Sequence, residues 1–499
     1  MEMVYLDTTR IELSRHTTDE VKSALGQYLT PDAIAQFMAS LFSPDHFKDC
    51  AILDPGAGVG SLSAALVNRI NSFDHQTVSL LTTVELDSMI LPYLKHTIGQ
   101  LAPCIRQCEL VQGDFLEQAL NWLQFEPQKR FSHIILNPPY KKINSASIQR
   151  KLLRQAGIET VNLYSGFVAL CIQLLKEQGE LVAIIPRSFC NGPYYKPFRK
   201  LLLKWTVIEQ IHLFGSRKSN FSEDNVLQEN VIIKLTRKSP THHMVKLSWS
   251  TDLNLSDYHE YILPSTEVVK PDDTELFIRI PEELPTNCST RPETVNCSLK
   301  VLDLSVSTGP VVDFRARQFL SAMPQSGTAP LIYPLHLHFS ECKWPQQHAK
   351  KANGIFINEQ TRKMLFPTGY YCVVKRFSSK EEPRRITASV VSPDDFQNSQ
   401  LLGFENHLNI FHQARKGLEK NIAYGLMVFL NSKVVDRYFR TFNGHTQVNA
   451  TDLRQMHYPS RKNLEALGQW ALNHPKLTIA EIDNQVEEIL CKNHATNIS

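Results

Sequence analysis

The amino-acid sequence predicts an α/β fold in which a mainly parallel sheet comes first and a mixed α+β domain follows. Short apolar runs alternate with segments of helical period from about residue 20 to residue 238. Such alternation favours parallel strands that are covered by helices on both faces. After residue 238 Ser, Thr, Pro and Asp become frequent and the helical period is lost. We therefore predict one domain over residues 1–240 and a second over residues 241–499.

The first predicted helix begins at Thr30, Pro31 and Asp32. Threonine suits the N-cap, proline suits the first helical position, and an early carboxylate complements the helix dipole. The predicted strands that follow read AILDP, LLTTVELD, ELVQ, HIIL, ELVAIIP, VIEQIHLF and NVIIKL, and the intervening helices include SLSAALVNRI and LYSGFVALCIQLLKEQ. In a sheet of this kind, functional residues are expected at the carboxyl ends of the strands.

Composition limits the class of protein. A chain of 499 residues exceeds one hydrophobic core, and its 42% hydrophobic and 21% charged residues are typical of globular proteins. The net charge of +3 permits a nucleic-acid partner without requiring one. The 10 cysteines show neither a disulfide framework nor zinc spacing, so we predict reduced thiols and no metal site. The absence of a signal peptide and of a long apolar run predicts a cytoplasmic protein.

A glycine-rich loop, DPGAGVG, follows the first predicted strand and precedes a helix. Glycines let the backbone approach a bound nucleotide closely, although a tight turn alone would also explain them. Glu85 ends the next strand, where an acidic residue can accept hydrogen bonds from ribose hydroxyls. Asp54 stands where NAD-binding loops carry glycine, which is typical of S-adenosylmethionine binders, because a carboxylate can meet the cationic end of that ligand. Loop and acid together favour a nucleotide cofactor.

The third predicted strand ends at Gly113, Asp114 and Phe115. Asp114 is a candidate acceptor for the amino group of the cofactor's adenine, and Phe115 is a candidate to stack on its ring. Taken alone, an ordinary turn with a core phenylalanine explains these residues better.

The most informative motif is Asn137-Pro138-Pro139-Tyr140, which follows the strand HIIL. Two prolines stiffen the chain and remove backbone donors. The remaining acceptors are the Asn137 side-chain oxygen and the Pro138 carbonyl oxygen. An amino group on an aromatic ring is a poor nucleophile, and accepting both its hydrogens favours the geometry that frees its lone pair. Tyr140 can then stack on a flipped base.

With these motifs in this order, the chain resembles the gamma class of N6-adenine DNA methyltransferases from type II restriction–modification systems. The resemblance implies a Rossmann-like S-adenosylmethionine-dependent domain followed by a target-recognition domain. It also implies cofactor-binding roles for Thr30, Pro31, Asp54, Pro55, Gly56, Gly58, Glu85, Asp114 and Phe115, and a catalytic role for Asn137, Pro138, Pro139 and Tyr140.

The same resemblance implies double-stranded DNA as substrate, a separate restriction endonuclease as functional counterpart, and a monomer. Phe221 is the candidate for a second aromatic residue against the flipped base, with Tyr140 as the first. Basic clusters in the C-terminal half are candidate phosphate and base contacts, although solvated surface charge explains any single pair equally well. These candidates are Arg315, Arg317, Lys351, Lys375 and Arg376, with Lys350, Arg384 and Arg385 beside them.

Other functions share parts of this pattern. The NPPY motif also serves N4-cytosine methylation, and it occurs in enzymes that methylate RNA or a protein glutamine. The large C-terminal half argues against the small protein methylases. A catalytically silent DNA-binding protein is a further alternative, which the intact acidic and NPPY residues disfavour. We find no acidic cluster with lysine that would indicate a fused nuclease, so the sequence predicts methylation alone.

Overall fold

A computed structural model describes residues 29–73, 77–214, 230–238, 243–251, 255–281, 294–347, 351–379, 382–396, 399–444, 446–474 and 476–492. The chain divides into two compact units, Met1–Ile280 and Pro281–Ser499. We call them unit 1 and unit 2. None of the helices within the described residues has the length and apolarity needed to cross a membrane.

Unit 1 is built on a sheet that has nine strands within the described residues. Their spatial order is β3-β2-β1-β4-β5-β7-β6-β8-β9. The strands are β1 (Ala51–Pro55), β2 (Val78–Glu85), β3 (Ile105–Gln112), β4 (Phe131–Leu136), β5 (Leu175–Pro186), β6 (Val207–Phe214), β7 (Asn230–Thr236), β8 (Met244–Ser250) and β9 (His259–Pro264). Strands β1 to β5 pair in parallel, whereas β7 runs antiparallel to both β5 and β6. The predicted mainly parallel sheet is confirmed.

Helices cover both faces of this sheet. They are α1 (Asp32–Ser40), α2 (Ser61–Ser72), α3 (Leu91–Leu101), α4 (Phe115–Phe125), α5 (Ile148–Gln155), α6 (Leu163–Leu174), α7 (Lys196–Trp205) and α8 (Ser265–Val268). Neighbouring residues of β1 belong to different cores, because side chains alternate between the faces of a strand. Leu53 packs in the core that contains α4 and α6, whereas Ile52 packs in the core that contains α1 and α2.

Two local expectations were wrong. Helix α1 begins at Asp32 with Pro31 at the N-cap position and no side-chain capping bond, so Thr30 is not the cap. Its hydroxyl is instead engaged by Asn137, as described below. Strand β5 begins at Leu175, so the residues KEQG lie in that strand and not in the preceding helix. In both places a contact with a distant part of the chain decides the structure against the local sequence pattern. The contact is the Asn137 side chain at Thr30 and strand pairing at Leu175.

The division between the units lies forty residues beyond the boundary that composition indicated at residue 240. Strand β8 pairs in parallel with β6, with Gln210 opposite Lys246, and β9 pairs antiparallel with β8. These two strands extend the first sheet and therefore belong to unit 1. The change in composition near residue 239 therefore does not coincide with the division between the two units.

Unit 2 contains three smaller sheets among its described residues. They comprise β10 (Val295–Cys297) with β20 (Tyr458–Pro459); β11 (Ser305–Thr308), β19 (Leu408–His412), β16 (Tyr371–Lys375) and β17 (Ala388–Val391); and β12 (Leu320–Ser321), β14 (Gly354–Phe356), β13 (Thr328–Ile332), β18 (Leu401–Phe404) and β15 (Leu365–Pro367). Its helices are α9 (Asp313–Ala316), α10 (Glu359–Arg362), α11 (Lys420–Leu430), α12 (Lys433–Phe442), α13 (Ala450–Gln455), α14 (Arg461–Leu472) and α15 (Ile479–Lys492).

Glycines let helices α11 and α14 cross closely. A Cβ atom at Gly425 would lie 1.9 Å from the Leu464 carbonyl oxygen, and one at Gly468 would lie 1.8 Å from the Asn421 carbonyl oxygen. Any larger residue at either position would have to push the helix backbones apart. The two glycines therefore set the spacing of helices α11 and α14.

Candidate active site

A pocket opens at the carboxyl ends of β1, β2, β3 and β4. It contains about 860 Å³ of empty space, which includes open solvent at its mouth. Its walls contain most of the residues that the sequence singled out for a cofactor. These are Thr30, Gly56, Gly58, Glu85, Asp114 and Phe115, together with Asn137 and Pro139.

The glycine loop forms the floor of this pocket. Gly56 and Gly58 have φ angles of +84° and +56°, a region that favours glycine. A Cβ atom on Gly58 would lie 2.8 Å from Leu29 Cδ2. The amide groups of Gly56 and Ala57 both donate to the carbonyl oxygen of Val84, at 2.8 and 3.0 Å. The loop is therefore held against the end of β2 in a conformation that presents backbone to a ligand.

Glu85 holds the same loop from the side. Its Oε2 accepts a hydrogen bond from the Gly58 amide at 2.7 Å, and its Oε1 accepts one from the Asp87 amide at 2.8 Å. Burial raises the pKa of this carboxyl group, and the backbone donors oppose that rise. Each carboxylate oxygen can accept more than one hydrogen bond, so these contacts are compatible with ribose hydroxyls as further donors.

Asp54 lies beneath the loop and does not line the pocket. It is fully buried, and its Oδ2 accepts a hydrogen bond from Ser63 Oγ at 2.6 Å. Its Oδ1 has no hydrogen-bond partner within the described residues. Burial raises the pKa of Asp54 to about 7, against the opposing effect of the Ser63 bond. A positive charge nearby would offset the desolvation of the Asp54 carboxylate. The sequence predicted that this carboxylate would meet the cofactor directly, whereas in the structure it does not line the pocket.

Asp114 and Phe115 start helix α4 at the opposite wall. Asp114 is the N-cap, and its Oδ1 accepts from the Leu116 amide at 2.8 Å. The Phe115 ring is buried and lies 4.9 Å, centre to centre, from the ring of Phe167, which also lines the pocket. Sequence reasoning missed Phe167, because helix α6 is apolar almost all round and nothing in its pattern separates a pocket residue from a core residue.

Asn137 follows β4 and lies between two other elements. Its Nδ2 donates to Thr30 Oγ1 at 3.0 Å, just before helix α1. Its Oδ1 accepts from the Tyr140 hydroxyl at 2.9 Å, and that hydroxyl also lies 3.1 Å from the Ile184 carbonyl oxygen on β5. The side-chain amide is thus held at both ends. Thr30, expected only beside the cofactor, contacts the proposed catalytic residue.

The Tyr140 ring is half-buried and packs edge-on against Tyr164, with ring centres 6.4 Å apart at 90°. Its hydroxyl is tied to the site as described, which fixes the ring's position beside Asn137. Phe221, the other candidate for contact with a flipped base, lies outside the described residues.

Comparison with known proteins shows the family. The model of the Eco57I restriction-modification methylase family matches residues 74–221. The type II methyltransferase M.BsuBI of Bacillus subtilis is 48% identical over 96% of this chain and 97% of its own length. M.PstI of Providencia stuartii is 43% identical over 93% and 92%. This chain belongs to the type II DNA methyltransferases of restriction–modification systems.

Other methyltransferases are similar to a smaller part of this chain. A tRNA1(Val) (adenine(37)-N6)-methyltransferase of Vibrio cholerae serotype O1 is 29% identical over 28% of this chain and 51% of its own length. Enzymes of this family methylate DNA with S-adenosylmethionine as cofactor. The residues of this methyltransferase fit that ligand in two observed respects. A Cβ atom in the cradle at Gly58, where φ is +56°, would displace the end of the Leu29 side chain, and the orphaned Asp54 Oδ1 lies beneath the same loop.

The basic clusters of the methyltransferase's unit 2 separate into two kinds. Arg385 is 1% exposed, and its guanidinium donates to Ser378 Oγ and Asn443 Oδ1, so it is a structural residue. Arg384 pairs with Asp483 at 2.6 Å. The other candidates that the structure describes lie at least partly exposed, and they are Arg315, Arg317, Lys351, Lys375 and Arg376. Lys350 lies outside the described residues.

Proposed function

We propose that this methyltransferase transfers a methyl group from S-adenosylmethionine to the N6 amino group of adenine in double-stranded DNA, which protects the site from a separate restriction endonuclease. The observation that carries the proposal is the placement of Asn137. Its side chain lies on the pocket wall, and its amide is held at one end by Thr30 and at the other by Tyr140.

The cofactor pocket supplies donors and acceptors of the required kinds. We assign the ribose hydroxyls to Glu85 and the adenine amino group to Asp114, whose Oδ2 has no partner within the described residues. Phe115 and Phe167 provide an apolar surface for the adenine ring. Bound S-adenosylmethionine supplies an electrophilic methyl group. The protein's own contribution is to position the nucleophile and to exclude water.

The target amino group is held by two acceptors. Asn137 Oδ1 can accept two hydrogen bonds, so accepting from Tyr140 is compatible with accepting from an amino group. The Pro138 carbonyl oxygen is the second acceptor, and Pro138 is itself buried. Accepting both hydrogens localises the nitrogen lone pair and orients it. No strong base is required, because the proton leaves once the nitrogen has become positive.

Adenine is favoured over cytosine by one of the shorter similarities. The tRNA enzyme of Vibrio cholerae is described as acting on adenine N6. RNA is disfavoured as substrate because that similarity spans 28% of this chain, whereas the type II methyltransferases match over 93–96% of it. We propose further that the enzyme acts as a monomer and that the exposed cations of unit 2 contact DNA phosphates.

The decisive experiment is nucleoside analysis of methylated DNA. DNA incubated with the enzyme and S-adenosylmethionine should yield N6-methyladenine and no N4-methylcytosine. Asn137→Ala should reduce turnover by orders of magnitude while the Kd for the cofactor changes little, because the acceptor matters mainly as the nitrogen changes geometry. N4-methylcytosine in the product would refute the adenine assignment, and a fully active Asn137→Ala variant would refute the catalytic motif.

A further inference from the structure

Two phenylalanine side chains of unit 2 lie exposed beside basic residues. Phe314 is 71% exposed and Phe377 is 46% exposed. The guanidinium carbon of Arg315 lies 5.4 Å from the centre of the Phe314 ring, and Arg376 directly precedes Phe377. Rings flanked by cations fit DNA in particular, because the rings contact bases and the cations contact phosphates.

These residues form one surface, which we call the His407 surface: Asp313, Phe314, Arg315, Lys351, Arg376, Phe377 and His407. The amide of Arg376 donates to the His407 carbonyl oxygen at 2.9 Å, and the amide of Asn406 donates to the Val311 carbonyl oxygen at 2.9 Å. Lys351 Nζ pairs with Asp313 Oδ2 at 2.8 Å. Neither Arg315 nor Arg376 has a carboxylate partner among the residues that the structure describes. The surface is therefore positively charged.

His407 is held by a buried carboxylate. Glu405 is fully buried, and its Oε2 accepts from the His407 amide at 2.9 Å. Its Oε1 lies 2.5 Å from His407 Nδ1. A carboxylate can only accept here, so Nδ1 donates to Glu405, and Nε2 is the nitrogen that carries the lone pair whenever the ring is neutral. The His407 side chain is 43% exposed, and Nε2 has no hydrogen-bond partner within the described part of the chain.

The ring is also restrained from one side. The centres of the Phe377 and His407 rings lie 5.2 Å apart with an angle of 44° between the planes. The bond to Glu405 thus orients the His407 ring and Phe377 limits its tilt. Nε2 is therefore held in one position on a positively charged surface. Burying a carboxylate to bind an exposed imidazole contributes little stability, because desolvation of the carboxylate offsets the attraction. Orientation of the ring is the better explanation of the pair.

We propose that His407 is a specificity-determining residue that accepts a hydrogen bond, through Nε2, from the exocyclic amino group of an adenine or a cytosine in the recognition site. Both amino groups are donors exposed in the major groove, where each base pair presents a distinct pattern. The inference rests on the proposed function, since it takes double-stranded DNA as the substrate, and it adds a base-reading residue to it.

The test is the recognition motif itself. Methylated positions in DNA from cells expressing the wild-type enzyme or His407→Ala are mapped by sequencing that detects modified bases. The variant should accept other bases at one position of the motif, with discrimination there reduced about 5- to 150-fold. A synthetic site in which that adenine or cytosine lacks its amino group should impair the wild-type enzyme and leave His407→Ala unaffected.

Three matched variants complete the experiment. His474→Ala removes an exposed imidazole ring that packs on Trp470, and it should leave the motif unchanged. Arg376→Ala should weaken binding to all sequences and lower the salt dependence without relaxing the motif. If His407→Ala unfolds, His407→Asn can still donate to Glu405 but lacks a nitrogen at the position of Nε2, and it should relax the motif in the same way.

An unchanged motif in a folded His407→Ala or His407→Asn variant would overturn the proposal. That outcome is distinguishable from failure of the proposed function, which appears in the wild-type enzyme as the absence of N6-methyladenine. Were the wild-type enzyme to methylate cytosine, the motif comparison could still be scored, because it depends only on which sites are modified.

Discussion

Replacing Thr30 by valine tests whether this residue positions Asn137. Valine keeps the size of threonine but has no hydroxyl, so the Asn137 Nδ2 atom loses the acceptor that lies 3.0 Å away. Asn137 is partly buried, so losing this hydrogen bond costs about 0.5–1.5 kcal/mol. If that free energy is needed to hold the amide in the transition state, kcat should fall about 2- to 13-fold. Thr30 is 6% exposed, so water replaces the hydroxyl poorly.

The assay is single-turnover methylation of a preformed enzyme–DNA complex at saturating cofactor. Thr30→Ser keeps the hydroxyl and should restore most of the rate, which a purely structural role would not require. Calorimetry of S-adenosylmethionine binding separates the two roles considered for Thr30. A normal rate with weakened cofactor binding in Thr30→Val would refute the positioning argument and return Thr30 to the cofactor site alone.

Three further outcomes are expected. Glu85→Gln should weaken S-adenosylmethionine binding by about 1–3 kcal/mol in calorimetry, because Glu85 holds the loop through the Gly58 amide and we assign it the ribose. Glu180→Gln leaves buried Lys234, 2.8 Å away, uncompensated and should lower the free energy of unfolding by about 3–5 kcal/mol in denaturant titrations. Burial lowers the pKa of His336 to about 4. Its contribution to the free energy of unfolding is therefore complete above the unfolded pKa of about 6.5 and is lost as the pH falls towards 4. A His336→Gln variant should therefore lose stability less steeply than the wild-type enzyme between pH 7 and 5, and an equal slope would contradict the assignment.

The residues at the strand ends were predictable because the topology of a parallel sheet gathers them. Glu85 ends β2, whereas Asp114 and Asn137 follow β3 and β4, and parallel strands bring their carboxyl ends to one edge. The sequence needed only the strand assignments to place them together. The roles of these three residues in binding the cofactor and the base are proposals that the experiments above test.

Other features could not be predicted because they depend on contacts between distant segments. Arg385 resembled any other basic residue, yet its burial against Asn443 makes it structural. Glu405 and His407 are two residues apart in an ordinary polar turn, and only the burial of the carboxylate reveals an oriented ring. The boundary between the two units could not be predicted either, because local composition does not show that β8 pairs with β6.

The Tyr140 hydroxyl shows how one side chain can serve the proposed site before and after a base enters it. It carries a single proton and has two acceptors, Asn137 Oδ1 at 2.9 Å and the Ile184 carbonyl oxygen at 3.1 Å. While the pocket is open, its proton satisfies Asn137. When an amino group donates to the same oxygen, the hydroxyl can turn towards Ile184 without any movement of the ring. The exchange costs little because one hydrogen bond replaces another of similar length. The Thr30 bond is not exchanged, which is why loss of that hydroxyl should slow the chemistry more than Tyr140→Phe does.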